Sequence, residues 1–254
     1  MNKKLQQWAV LAVMLLLPFL IYMVFVYSAK ENFFTNLEFV GPQTITERQL
    51  PDGNVQFDTL PYKIPHWSFA NELGLQVSSD AYKGKIYLAN FFFTRCPSIC
   101  PSMNFQVLQF QERFSGFKDF KIVSFTVDPS NDSAQALHSY SIRMKANNEV
   151  WNFYTGDKVD LYKTASHYLQ SAQEDASAPG GFLHTEQLVL VDWEGRIRSR
   201  KDEKGNVMGS YNALLATDVK MLMEDIKVLI AEFEKHKSML EYREQKKNKS
   251  KYRD

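Results

Sequence analysis

No excess of charge of either sign marks this chain: 30 lysines and arginines stand against 29 acidic residues, a formal net charge of +1. That balance gives no electrostatic footprint for nucleic acid. No segment reads as a nucleic-acid module either, and the basic residues are not interleaved with aromatics in a stacking pattern. No Ser/His/Asp set and no paired carboxylates stand out, so the corresponding enzyme classes have no candidates. Cysteine is scarcer still. Only two occur, and a structural zinc site wants four protein ligands.

What is present is concentrated around those two cysteines. They lie in Thr94-Arg95-Cys96-Pro97-Ser98-Ile99-Cys100-Pro101, directly after the apolar run Lys85 to Phe93. The run reads as a buried strand and the stretch after Pro101 as a helix. A dithiol is thus expected where a strand hands over to a helix N-terminus, a position that lowers thiol pKa and suits redox chemistry or soft-metal binding. Both cysteines precede proline, which disfavours helical geometry for them. We therefore expect Cys96 in a loop, Cys100 at the helix cap and Pro101 at the first helical position. A purely structural disulfide would close a loop of only five residues, worth about 2 kcal/mol against about 4.7 for a 100-residue loop. A chain of 254 residues with 44% hydrophobic content buries a core without that staple.

From Trp8 to Tyr27 run twenty residues without a charge, which at about 1.5 Å each span a bilayer core of roughly 30 Å. Pro18 is tolerated in such a helix. Lys3 and Lys4 precede the run, so the N-terminus is expected in the cytoplasm and the rest outside. An uncleaved anchor is the expectation. The alternative is a cleaved signal sequence ending near Val26-Tyr27-Ser28, although signal cores are usually shorter. No Arg/Ser-rich leader precedes the run, which points to a bacterial envelope protein. Its thiols would meet an oxidising compartment.

Residues 1–28 are thus read as anchor or signal, 29–61 as a spacer without sustained period, 62–234 as one α/β domain and 235–254 as a basic, solvated tail. Lys63 to Phe69 suits an edge strand at best, and Glu72-Leu73-Gly74 reads as a hairpin turn. Met103, Val107, Leu108, Phe110 and Phe114 recur at helical spacing. Phe120 to Val127 is the next strand, and Asp132 is the expected N-cap of the helix carrying Leu137 and Tyr140. Asp128 is read as a turn former. Trp151 to Tyr154 is a strand, Leu161 to Leu169 a helix, Gln187 to Val191 a strand, and Asp192 to Gly195 a turn into Arg196-Ile197-Arg198. A last amphipathic helix runs from about Asn212 to Phe233. This alternation is an α/β pattern, and a dithiol at its first strand-to-helix junction makes it thioredoxin-like.

These residues resemble the SCO/SenC family, copper chaperones of cytochrome c oxidase assembly. The likeness covers about Ile64 to Ile230. It rests on Gly84-Lys85, on Phe93 to Pro101, on Val127-Asp128-Pro129-Ser130-Asn131-Asp132, on Tyr154-Thr155-Gly156, on His184 shortly before a strand, and on Val191 to Gly195. The resemblance implies a membrane-tethered thioredoxin-like domain that binds copper through Cys96, Cys100 and His184. One departure stands out: the residue before the histidine, often acidic in the family, is Leu183. Two thiolates and an imidazole form a soft set suited to Cu(I), and such a site also holds Cu(II). His66, His138, His167 and His236 are read as packed or surface residues, and Met103 as core.

The resemblance thus implies a copper-delivery protein. Its client would be the copper-site subunit of cytochrome c oxidase, and a thiol reductant would be a further partner. The alternative function is a membrane-anchored thiol-disulfide oxidoreductase, with Cys96 and Cys100 as its redox pair, keeping client cysteines reduced. Peroxidase activity is the third reading, and the loop lacks a peroxidase context. The three-residue gap favours metal over a dedicated oxidoreductase, whose loop usually holds two residues between cysteines.

Overall fold

The structure is a computed structural model that describes residues 3–32, 37–49, 54–97, 99–175, 177–184 and 186–251. A long helix α1 (Lys3–Asn32) comes first, followed by β1 (Glu38–Val40), β2 (Thr44–Gln49), β3 (Val55–Leu60), β4 (Ser68–Asn71), β5 (Gln76–Ser78) and β6 (Ile86–Phe92). Next come α2 (Ile99–Phe114), β7 (Phe120–Thr126), α3 (Ala134–Arg143), β8 (Trp151–Thr155) and α4 (Lys158–His167). The chain continues through β9 (Ala172–Glu174), β10 (Phe182–His184), β11 (Gln187–Val191), β12 (Ile197–Ser199), β13 (Tyr211–Asn212) and α5 (Ala216–Lys251). It falls into two compact units, Met1–Asn36 and Leu37–Asp254. In the first, Gln6–Val24 has a mean hydropathy of 2.2 and is long and apolar enough to cross a membrane.

The second unit is built on a sheet of order β1-β12-β11-β6-β7-β8-β4-β5, with β13 beside β11. Its centre is parallel: β6 pairs with β7 from Ile86↔Phe120 to Phe92↔Thr126, and β7 with β8. Every residue of β6 is buried, as a central strand covered on both faces requires. Each large apolar side chain so buried contributes about 1.5–3 kcal/mol. Alternation divides the strand between two layers. Asn90 and Phe92 face α2 and α3, where Asn90 reaches Met103 and the Phe92 ring lies 5.2 Å from that of Tyr140. Tyr87 and Phe91 face an aromatic layer with Tyr168, and Phe125 in the same layer meets Trp67 and Tyr154. The crossovers β6-α2-β7 and β7-α3-β8 leave the loops after β6 and β7 together at one end of the sheet. That end carries the cysteines.

Four expectations change. Lys63 to Trp67 form no strand, and the strand that starts at Ser68 is not at the edge, since β4 lies between β8 and β5. The N-cap of α3 is Ser133, whose side chain accepts from the Ala136 N–H, not Asp132. The helix after β13 does not stop near Phe233. Its buried stripe Val219, Leu222, Ile226, Leu229 and Phe233 ends there, but 216–251 contains neither Gly nor Pro and is rich in Lys, Glu, Leu and Met, so the helix continues into solvent. Finally, 29–61 is not without structure. β1 joins the main sheet against β12, and β2 and β3 pair as a hairpin. The turn at Glu72-Leu73-Gly74 does join β4 to β5, with Asn71 Oδ1 accepting from the N–H groups of Leu73 and Leu75.

Candidate metal centre

Cys96 stands in the loop after β6, and its N–H donates to the Phe93 carbonyl at 3.3 Å. Cys100 is the second residue of α2, two places further into the helix than the cap position its proline suggested. Pro101 fits there because the first-turn N–H groups have no intrahelical acceptor. Both side chains are buried thiols. The two sulfurs meet: the hydrogen bond with Cys96 is the main cause that pushes the Cys100 pKa up, with burial next and the charges of Cys96 and Asp132 adding to it. A hydrogen bond from the Phe93 backbone pulls the other way. The helix N-terminus therefore does not make Cys100 acidic in the reduced state. Burial and a neighbouring sulfur outweigh the dipole, which is worth about 0.3–1 kcal/mol at an exposed site.

The loop is held from β7 and the segment behind it. Asp132, fully buried, accepts from the Thr94 N–H at 3.0 Å and from the hydroxyls of Thr94 and Thr126. Burial raises its pKa and these hydrogen bonds oppose the rise. Arg95, beside Cys96, pairs with buried Asp128 at 3.0 Å, and Asn131 donates to both oxygens of that carboxylate. Asp128 and Asp132 are thus more than turn formers: they clamp the cysteine loop. Their side chains point back across the β6–β7 gap, a relation that spacing along the chain does not reveal.

On the helix side, Asn104, one turn beyond Cys100, donates to the buried Tyr140 hydroxyl. Arg143 lies 4.7 Å over the Tyr140 ring and reaches the Thr94 carbonyl at 3.5 Å. Burial holds the Tyr140 pKa up, and the charge of Cys100 adds to it, which sets this phenol close to the dithiol. Sequence reasoning missed the Asn104–Tyr140 pair, since nothing but helical spacing from Cys100 hints at it. Met103 is core, as expected.

His184 closes β10, where it pairs with Ala172 of β9. Its side chain lies outside the described residues. The β9–β10 arm meets the cysteine loop: the Phe182 and Phe93 rings are 5.1 Å apart. The other histidines stand elsewhere. His66 is 3.7 Å from Asp80, His138 is exposed on α3, the His167 carbonyl accepts from Tyr62, and the His236 ring lies tilted 5.4 Å from that of Trp193. Among the described residues no cluster of three or more His, Cys, Asp or Glu is arranged to hold a metal.

A parallel β-α-β-α-β core with two thiols at its first strand-to-helix junction defines a thioredoxin-like protein. More narrowly, the chain belongs to the SCO1/SenC family, whose family model matches residues 59–216. It is 27% identical over 172 residues to a SCO1 protein homolog of Bacillus subtilis, covering 67% of this chain and 84% of that one. BsSco, a member of the Sco family of cytochrome c oxidase assembly proteins in which a disulfide switch was identified, is similar in structure. It shows a TM-score of 0.55 and 25% identity, over 66% of this chain and 93% of that one. Arabidopsis thaliana ScoI, solved with copper bound, shares the fold with a TM-score of 0.53 and 19% identity, over 67% of this chain and 99% of that one.

Proposed function

We propose that this chain binds copper through Cys96, Cys100 and His184 and delivers it to the copper-site subunit of cytochrome c oxidase. The observation that carries the reading is the contact between the buried dithiol loop and the arm that ends at His184. The donor set fits the metal: two cysteine sulfurs and an imidazole are soft ligands, favouring Cu(I) and also able to hold Cu(II). The chain's own residues do the rest. Asp132 and Asp128 hold the loop, and burial keeps competing water and oxidants away from the sulfurs. The metal is the cargo, and its binding displaces thiol protons.

We place the protein in the bacterial cytoplasmic membrane, spanning it once through α1, with the thioredoxin-like unit on the extracytoplasmic side. There the Cys96–Cys100 pair would need a thiol reductant. The thiol-disulfide oxidoreductase reading keeps one specific support, the hydrogen bond between the two sulfurs, which sets them in reach of each other. Delivery separates the two. Copper-loaded chain is mixed with the metal-free, reduced copper-site subunit and the two are separated again. Copper on the subunit is the expected result. If the chain keeps its copper, while the metal-free, reduced chain reduces the disulfide form of the subunit in a parallel mixture, the oxidoreductase reading takes over.

A further inference from the structure

The turn between β9 and β10 sits directly on the cysteine loop. Gly180, at φ +80°, turns its bare Cα to Phe93: a Cβ there would lie 2.7 Å from Phe93 Cε2 and Cζ and 3.3 Å from Pro97 Cδ. Two residues on, the Phe182 ring packs against the same Phe93 ring. Phe93 and Pro97 flank the short stretch that holds Cys96. The arm's two strands pair with each other in a sheet of their own. The last residue of β9, next to the turn, is tied to α4 by the Lys158–Glu174 ion pair. The arm's tip is a tight turn in which the Asp175 N–H donates to the Gly181 carbonyl at 3.0 Å and the Gly181 N–H to the Ala178 carbonyl at 2.9 Å. That tip can approach the loop only because position 180 has no side chain.

We propose that Gly180 is a positioning residue. Its missing side chain lets the arm seat on Phe93 and Pro97, and that seat fixes the strand ending at His184 relative to the dithiol. The consequence for metal rests on the copper reading above; the seat itself does not. Gly181 supplies a matched comparison. It also has a positive φ, +85°, but among the described residues nothing lies within 4 Å of where its Cβ would be. Gly180→Ala and Gly181→Ala therefore share the backbone strain of a side chain in the left-handed region. Only the first adds a collision with Phe93.

The test uses the full chain in detergent. Amide hydrogen exchange over 172–184 should be about tenfold faster in Gly180→Ala than in Gly181→Ala, with β6 and β7 unchanged. Phe182→Ala removes the seat without adding strain and should open the arm as well. Reduced Gly180→Ala should bind copper about tenfold more weakly, as when a ligand's supporting contact is lost. That loss should vanish in a His184→Ala background, because the effect runs through the arm. Equal exchange in the two alanine variants would overturn the proposal, as would a copper loss of the same size without His184. If the unsubstituted chain takes up no copper, the copper reading fails, and the exchange comparison still decides whether Gly180 seats the arm.

Discussion

Thr94 and Asp132 are joined twice, the Thr94 N–H reaching Asp132 Oδ2 at 3.0 Å and the Thr94 hydroxyl reaching Oδ1. Thr94 is two residues before Cys96, so the cysteine loop hangs on a carboxylate that belongs to the far side of β7. Asp132→Ala should cost about 2–4 kcal/mol, because it strands the donors of Thr94 and Thr126 in a buried site. Asp132→Asn, which keeps an acceptor oxygen, should cost less. Urea denaturation of the reduced protein measures both. A loss below about 0.5 kcal/mol in Asp132→Ala, the range of ordinary surface substitutions, would show that the clamp is not needed.

Cys100 should be the slower thiol. It is more deeply buried than Cys96, and its pKa is pushed up by the Cys96 hydrogen bond and by burial. In the unfolded chain a cysteine loses its proton near pH 8.5, before folded Cys100 does. The folded state then holds more protons, and the stability of the reduced, metal-free protein falls as pH rises above that value. Alkylation at neutral pH with peptide mapping should mark Cys96 first. Equal labelling rates would contradict the inequality.

Much of this was legible in the chain. The runs at β6, β7, β8 and β11 are rich in aromatic and branched apolar residues, and each has Gly, Pro or Asp close to one end, so their strands follow from composition, and the Cys-Pro pairs place the thiols at the right junction. What was not legible depends on contacts across the fold. β1 is three residues long and exists because β12 offers it an edge; Leu37 beside it supplies the carbonyl that buried Arg198 donates to. Asp132 sits one residue before the Ser133 cap, so local pattern assigned it the wrong duty. Gly180 reads as a loop breaker until Phe93 is seen against it.

The topology is checked from outside the cell. In spheroplasts treated with a mild reductant, a membrane-impermeant maleimide should reach Cys96, since α1 is expected to leave the thioredoxin-like unit outside. Tagging only after lysis would place that unit in the cytoplasm.

The central claim is that one dithiol and one imidazole hold the copper. Its most direct test is the copper content of the reduced full-length chain after Cu(I) loading and desalting, beside Cys96→Ser, Cys100→Ser, His184→Ala and the disulfide form. The account predicts one copper per unsubstituted chain, none retained by either serine variant or by the disulfide form, and weakened retention with an altered Cu(II) spectrum in His184→Ala. Copper held as tightly by the disulfide form as by the dithiol would contradict it.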